Sequence, residues 1–360
     1  PGMSRGRKFT TDRLQANFPD TFDPFVQGFV TRYPTVFRLA LRTSASQLGV
    51  QHAIEAVREE LRNTALLADK MLLFTRHLSR VEFYDGEELI STHSTTVKDA
   101  ADVEQFFATM PTDPMAMTPG QWHHKLVQKT ITTATSESTT SADWAITHRI
   151  GVTDESMIKV LKDQLEVQKV ALLPHGQAAV RVKPWEPEER GGRVCCGMPT
   201  PFATNSCVWL NGSFALLSSR KTLPLPEDSE ALPSLDKRWN RLLLEGPIAE
   251  SMNGLILYCT SLTNWGGLKL EKYFELFPVR GERLQTILAA ATWKCCLRSA
   301  VYPCLQGSKI RWESGPRPSF FGPELPEELQ TSLVTDGMKL VHLPEPLLVE
   351  YEAALGEPRK

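Results

Sequence analysis

The sequence predicts a mixed α+β (α/β mixed) fold. Residues 45–223 interleave alternating, strand-like stretches with helix-period stretches. Residues 236–305 are dominated by helix-period patterns, so a sheet-bearing part precedes a mostly helical one. The chain has 360 residues, 41% hydrophobic and 23% charged. That is globular composition, with length for roughly two domains and a core that needs no staples.

The elements follow in order. Phe18, Phe22, Phe25 and Phe29 are spaced four, three and four apart, an apolar helical face interrupted by Pro19 and Pro24. "TVFRLALRT" alternates, with Phe37, Leu39 and Leu41 on one side, and reads as a strand. Ile54, Val57, Leu61, Ala65, Ala68 and Leu72 recur at three and four. They predict one long amphipathic helix, capped by Ser44 or Ser46. "SRVEFYDGEELISTHSTTV" predicts a strand pair about Asp85-Gly86, and 100–110 a helix. "HHKLVQKTITTAT" and "DWAITHRIGV" predict Thr-rich strands joined by the loop "SESTTSA". "DESMIKVLKDQLEVQ" predicts a helix opening at Thr153 or Asp154. "KVALLPHGQAAVRV" reads as a strand broken by Pro174 and Gly176; "VCCGMP" and "CVWL" read as two more strands. "DKRWNRLLLEGPIAESMNGLILYCTSL" predicts a helix kinked at Gly246-Pro247. "KLEKYFELFP" and "RGERLQTILAAATWKCCLRSAVY" predict two further helices, and the tail from Gly307 is rich in proline and short apolar runs.

Charge and cysteine usage exclude several classes. Forty basic and 42 acidic residues leave a net charge of −2, with no polybasic block. A nucleic-acid or membrane-surface partner therefore has no electrostatic footprint. Cys195, Cys196, Cys207, Cys259, Cys295, Cys296 and Cys304 are odd in number and lack CxxC spacing, which fits free thiols in a reducing compartment. With no signal peptide and no run of about 18 apolar residues, the expected location is cytoplasmic. The opening Pro-Gly reads as a cloning remnant, and the chain as a piece of a longer protein.

The chemistry-bearing patterns are few. His123-His124 lie on a predicted strand, facing opposite ways, and no HxxxH or HExxH spacing occurs, so no metal site is expected. "VCC" and "KCC" sit in apolar company and read as core. No nucleophile-elbow or Cys-His cue supports a hydrolase. Pro174-His175-Gly176 reads first as a turn, and second as a backbone amide offered to a ligand. Neither GxxxxGK[ST] nor GxGxxG after a strand is present, so no self-contained nucleotide pocket is expected.

"CVWLNGSFALLSSRKTL" (207–223) admits three readings. Asn211-Gly212 is a hairpin signal that would join strands at 208–210 and 214–217. Asn211-Gly212-Ser213 is a glycosylation sequon, which a cytosolic protein leaves unused. "SSRK" places Ser218, Ser219, Arg220 and Lys221 where a loop could hold phosphate or form a solvated basic turn.

The same stretch resembles the sacsin family's "VNGHFALDSARRNLW". Asn211, Gly212, Phe214, Ala215, Leu216, Ser218, Arg220 and Leu223 match. Lys221 stands for a second Arg, Leu217 for an acidic residue and Pro224 for the Trp. "KRWNRLLLEGPIAESMNGLI" is similar to "WN…LL…VIAPAYAELL" through Trp239, Asn240, Leu242, Leu243, Ile248 and Ala249. "LLPHGQAAVRV" resembles "LFPRGGVAA", and "TVFRLALRT" resembles "TLFRFPLRT". The likeness covers about residues 7–280, most specifically 170–250.

The resemblance implies the following layout. Residues 1–44 are the tail and last strand of an ATP-binding domain like that of the 90-kDa heat-shock chaperone, with Thr35 a remnant of its nucleotide site. Residues 45–235 are a middle, transducer-like domain, 236–306 a helical subdomain and 307–360 an irregular or helical tail. Arg220, then Lys221, would contact the γ-phosphate, with Ser218 and Ser219 beside it. ATP and Mg²⁺ belong to the longer protein, with no cofactor in this segment and no hydrolysis by it alone. The implied partners are the ATP-binding domain of the same chain, client proteins and the 70-kDa heat-shock chaperone. A module that keeps the fold without ATP coupling is the rival, motivated by Leu217 and Pro224.

Overall fold

A computed structural model describes residues 53–111, 113–168, 172–185, 191–217, 219–264, 269–306, 309–314, 319–320, 340–341 and 343–356, with isolated residues at 16, 326, 328–329 and 332–333. The 18–29 face, the 35–43 strand and the caps at Ser44 and Ser46 lie outside them.

An eight-stranded mixed sheet organises the chain. Two short helices, α1 (Ile54–Ala65) and α2 (Ala68–Leu73), precede it. The expected single long helix is thus interrupted at 66–67. The strands are β1 (Arg80–Asp85), β2 (Glu88–Val97), β3 (His123–Thr135), β4 (Thr139–Ile150), β5 (His175–Lys183), β6 (Arg193–Cys196), β7 (Met198–Ala203) and β8 (Trp209–Gly212). Their order is β1-β2-β3-β4-β5-β8-β6-β7. Neighbours are antiparallel except β6 and β8, which run parallel. Gly86, with φ +63°, turns the first hairpin where Asp85-Gly86 announced it. The β3–β4 loop is only 136–138, because the strand takes in the Thr-Thr-Ser-Ala of 139–142 that composition suggested was loop. Gly197, with φ +72°, turns "VCCGMP" into a hairpin of two strands.

Both faces of the sheet are covered. Helix α2 and α3 (Ala100–Ala108) lie over one face, where Val127, Ile131, Trp144, Ile146, Ala179 and Trp209 are buried. On the other face pack α4 (Glu155–Gln168), α5 (Leu235–Leu243), a π-helical turn (Leu244–Ile248), α6 (Ala249–Asn264) and α8 (Arg283–Cys296); the short α7 (Leu270–Phe274) precedes α8. Asp154 opens α4: its Oδ1 accepts the Ser156 and Met157 amide hydrogens at 2.9 and 3.2 Å. The kink expected at Gly246-Pro247 is this π turn, which absorbs the proline without ending the helix.

Two glycines let that turn lie against the strands. Gly176 pairs with Gly212 across β5 and β8. A Cβ on Gly176 would strike the Pro247 carbonyl and the Ile248 nitrogen. Gly176 is therefore not a strand break, and Asn211-Gly212 is not a hairpin turn. Both pairs lie within strands, and residues 214–217 form no strand. Local turn propensity is overridden by the close approach of a helix backbone.

A small four-stranded sheet follows, ordered β10-β9-β12-β11: β9 (Tyr302–Gln306), β10 (Lys309–Glu313), β11 (Ser319–Phe320) and β12 (Leu340–Val341). Helix α9 (Glu345–Leu355) follows it. The tail expected to be irregular or helical thus contributes strands. Tyr302 and Tyr351 meet edge-on, ring centroids 5.4 Å apart, inside a core that also holds Met117, Leu210 and Trp239. The sequence boundary at 235/236 marks a change of element type and no break in this core. Among the described residues no helix is long and apolar enough to cross a membrane.

Candidate functional site

The three described segments that carry the resemblance meet in space. Gly176 of β5 abuts Pro247, β5 pairs with β8, and the chain leaving β8 is clamped by α5. The clamp is Asn240, fully buried. Its Oδ1 accepts the Ala215 amide hydrogen at 2.8 Å, and its Nδ2 donates to the carbonyls of Ala215 and Pro224, each at 2.9 Å. Trp239, also fully buried, donates Nε1–H to the Ser213 carbonyl at 2.8 Å. An amide side chain suits this place because it answers a donor and two acceptors at once.

Between the clamped ends, Leu217 and residues 219–222 are exposed. The Leu217 amide donates to the Thr222 carbonyl at 3.3 Å, and the Arg220 amide to the Leu217 carbonyl at 2.8 Å. Arg220 has φ +56°, a left-handed conformation that costs a non-glycine residue about 1–2 kcal/mol. Its side chain is exposed, and its Nη2 donates to the Cys196 carbonyl at 2.7 Å. Lys221 is exposed, its amide donating to Ser219 Oγ at 3.3 Å. Ser219 is exposed, while Ser218 and Thr35 lie outside the described residues. The loop thus brings Ser219, Arg220 and Lys221 together.

A second cluster lies under the same β6–β7 turn and was not read from sequence. Asn211, Gln177 and His148 stand opposite one another across β8, β5 and β4. The Gly197 amide donates to Asn211 Oδ1 at 2.8 Å, which fixes that amide's orientation. Asn211 Nδ2 then donates to Gln177 Oε1, and Gln177 Nε2 faces both ring nitrogens of His148, Nδ1 at 3.1 Å and Nε2 at 3.4 Å. His175 stacks on His148, with its Nε2 3.2 Å from the same Nδ1.

Burial holds both imidazoles neutral. His148 is pushed well below the ordinary histidine range by desolvation, then by His175 and Lys129; desolvation lowers His175 to about 4. The unfolded chain takes up these protons below about pH 6.5. The associated stability is full above that pH and is lost as pH falls toward the folded values. His148→Gln should reduce the dependence of unfolding free energy on pH between 6.5 and 4.5 by about 1 kcal/mol per pH unit. Urea titrations at several pH values check this, and an unchanged slope contradicts it.

Lys129, buried on β3, caps α2. Its Nζ donates to the carbonyls of Leu72, Leu73 and Thr75 at 3.3, 3.1 and 2.8 Å. Burial lowers it to about 8.

Burial pushes the Cys195 and Cys295 thiols up to about 12, which disfavours the thiolate at both. Cys295 lines a cleft of about 760 Å³ on the helical side, where its thiol donates to Glu250 at 3.5 Å. Among the described residues no group of three His, Cys, Asp or Glu side chains could hold a metal ion. No protein-family model, curated protein or solved structure matches the chain significantly.

Proposed function

We propose that the chain is the middle, transducer-like region of a sacsin-like chaperone or co-chaperone, with a fold related to the middle domain of the 90-kDa heat-shock chaperone. It couples an ATP-binding domain elsewhere in the longer protein to the geometry of client proteins, and of a 70-kDa heat-shock partner. One observation supports this reading above others. Segments 172–182, 208–223 and 239–249, which carry the resemblance, pack into one unit whose outer edge is the Arg220 loop.

The resting state of Arg220 suits a cation that must move. Its guanidinium holds a single exposed carbonyl and, among the described residues, no carboxylate. Such a surface bond is worth about 1 kcal/mol or less, so a γ-phosphate outcompetes it. The guanidinium fork would then stabilise charge that develops on the transferred phosphoryl group.

In the longer protein carrying its ATP domain, Arg220→Ala should lower kcat for ATP hydrolysis about 100-fold and leave KM for ATP within a factor of two. Steady-state turnover measures both. Unchanged kcat, or no nucleotide binding by the intact protein, would favour a scaffold that keeps the fold without ATP coupling.

A further inference from the structure

The Asn211–Gln177–His148 row borders a cavity of about 320 Å³ between the sheet and α3. Its walls are of two kinds. Leu73, Val103, Phe107, Met110 and Val127 form an apolar body. Lys129, Arg76, His148 and Gln177 contribute polar groups to the cavity. Apolar walls with a few convergent polar groups are the usual construction of a small-molecule site.

The polar groups are unevenly satisfied. His148, only 4% exposed, has Gln177 Nε2 close to both ring nitrogens and His175 Nε2 3.2 Å from its Nδ1. Lys129 brings a positive charge whose described partners are three carbonyls and no carboxylate. Arg76 lies over the Phe107 ring, 4.7 Å from its centroid, and gives one Nη2 bond to Glu104 at 3.0 Å. Two cations and one carboxylate line the cavity, so it carries one unbalanced positive charge.

We propose that this cavity binds a small monocarboxylate with an apolar, aromatic or branched body. The carboxylate accepts from Arg76 in the field of Lys129, beside the His148 ring. The body lies against Val103, Phe107 and Met110. A single negative charge balances the lining. A dianion such as phosphate would exceed the single positive charge of the lining and meet Glu104 and apolar walls. This inference needs neither ATP nor the longer protein.

The test uses phenylacetate and its neutral isostere phenylacetamide as probes, with inorganic phosphate as a control. Calorimetry reads affinity, and the His148 ring NMR resonances read location. Phenylacetate should bind at least 10-fold tighter than phenylacetamide or phosphate and shift the His148 ring signals. Lys129→Met should weaken phenylacetate at least 10-fold, and Val103→Phe, which fills the cavity, should do the same. Equal binding of acid and amide overturns anion recognition. No binding of phenylacetate by the wild-type protein, or binding that leaves the His148 signals in place, overturns the site. Should Lys129→Met fail to fold, the wild-type acid and amide comparison decides alone.

Discussion

Gly176→Ala should destabilise the protein by about 3 kcal/mol or more and lower Tm by at least about 5 °C. The added methyl has nowhere to go. It would sit inside contact distance of the Pro247 carbonyl and the Ile248 nitrogen, both main-chain atoms of the π turn. A flexible side chain could move aside, but a helix backbone anchored in the core cannot. The turn is fixed by the burial of Leu244, Ile248 and Met252 behind it and by Ser251, whose Oγ donates to the Gly176 carbonyl at 2.7 Å. Gly86→Ala offers a control, since nothing lies within 4 Å of its Cβ position. It should cost only the strain of a left-handed alanine, about 1–2 kcal/mol. Thermal unfolding of the two variants checks the ordering, and equal losses would contradict it.

Asn240→Ala should cost about 3–5 kcal/mol and loosen the Arg220 loop without touching it. Removing the amide strands the Ala215 N–H and the Ala215 and Pro224 carbonyls in a buried place, and each orphaned group costs about 1–3 kcal/mol. Both ends of segment 213–224 lose an anchor. Trypsin cleavage after Arg220 or Lys221 should rise at least 10-fold under conditions where the variant remains folded. Arg220→Lys keeps the cleavable cation and the clamp, so its cleavage rate should stay near wild type. Mass spectrometry of timed digests distinguishes the outcomes. Unchanged cleavage in Asn240→Ala would mean that the loop holds itself.

Most of the strands and helices were legible because their periods are clean. The β1–β2 hairpin, β3, α4 and α5 each bury mainly one face, and that burial writes a period of two or 3.6 into the sequence, while β4 buries both faces over 144–148. Two of the errors share one cause. Asn211-Gly212 and Pro174-His175-Gly176 carry turn chemistry, yet their glycines serve a helix about 35 and 70 residues downstream. No local pattern records such a contact. The small C-terminal sheet was missed because its strands are short and Leu340–Val341 is parallel to Ser319–Phe320, separated by a long connection. Of the candidate site, the Arg220 loop was visible through its motif. The interior cluster was not, since His148, Gln177 and Asn211 are about 30 residues apart and meet only through strand register. A usable signal existed in polar residues at inward positions of otherwise apolar strands, with Lys129 and His148 the plainest cases.

The central claim is that the clamped loop delivers Arg220 to a nucleotide bound elsewhere in the longer protein. Amide hydrogen exchange of segment 217–222 in that protein tests it most directly, with a non-hydrolysable ATP analogue compared against ADP. The account predicts slower exchange at Arg220 and Lys221 with the ATP analogue, and no such slowing when Arg220 is alanine. Identical exchange in the two nucleotide states, with both nucleotides shown to be bound, would contradict it.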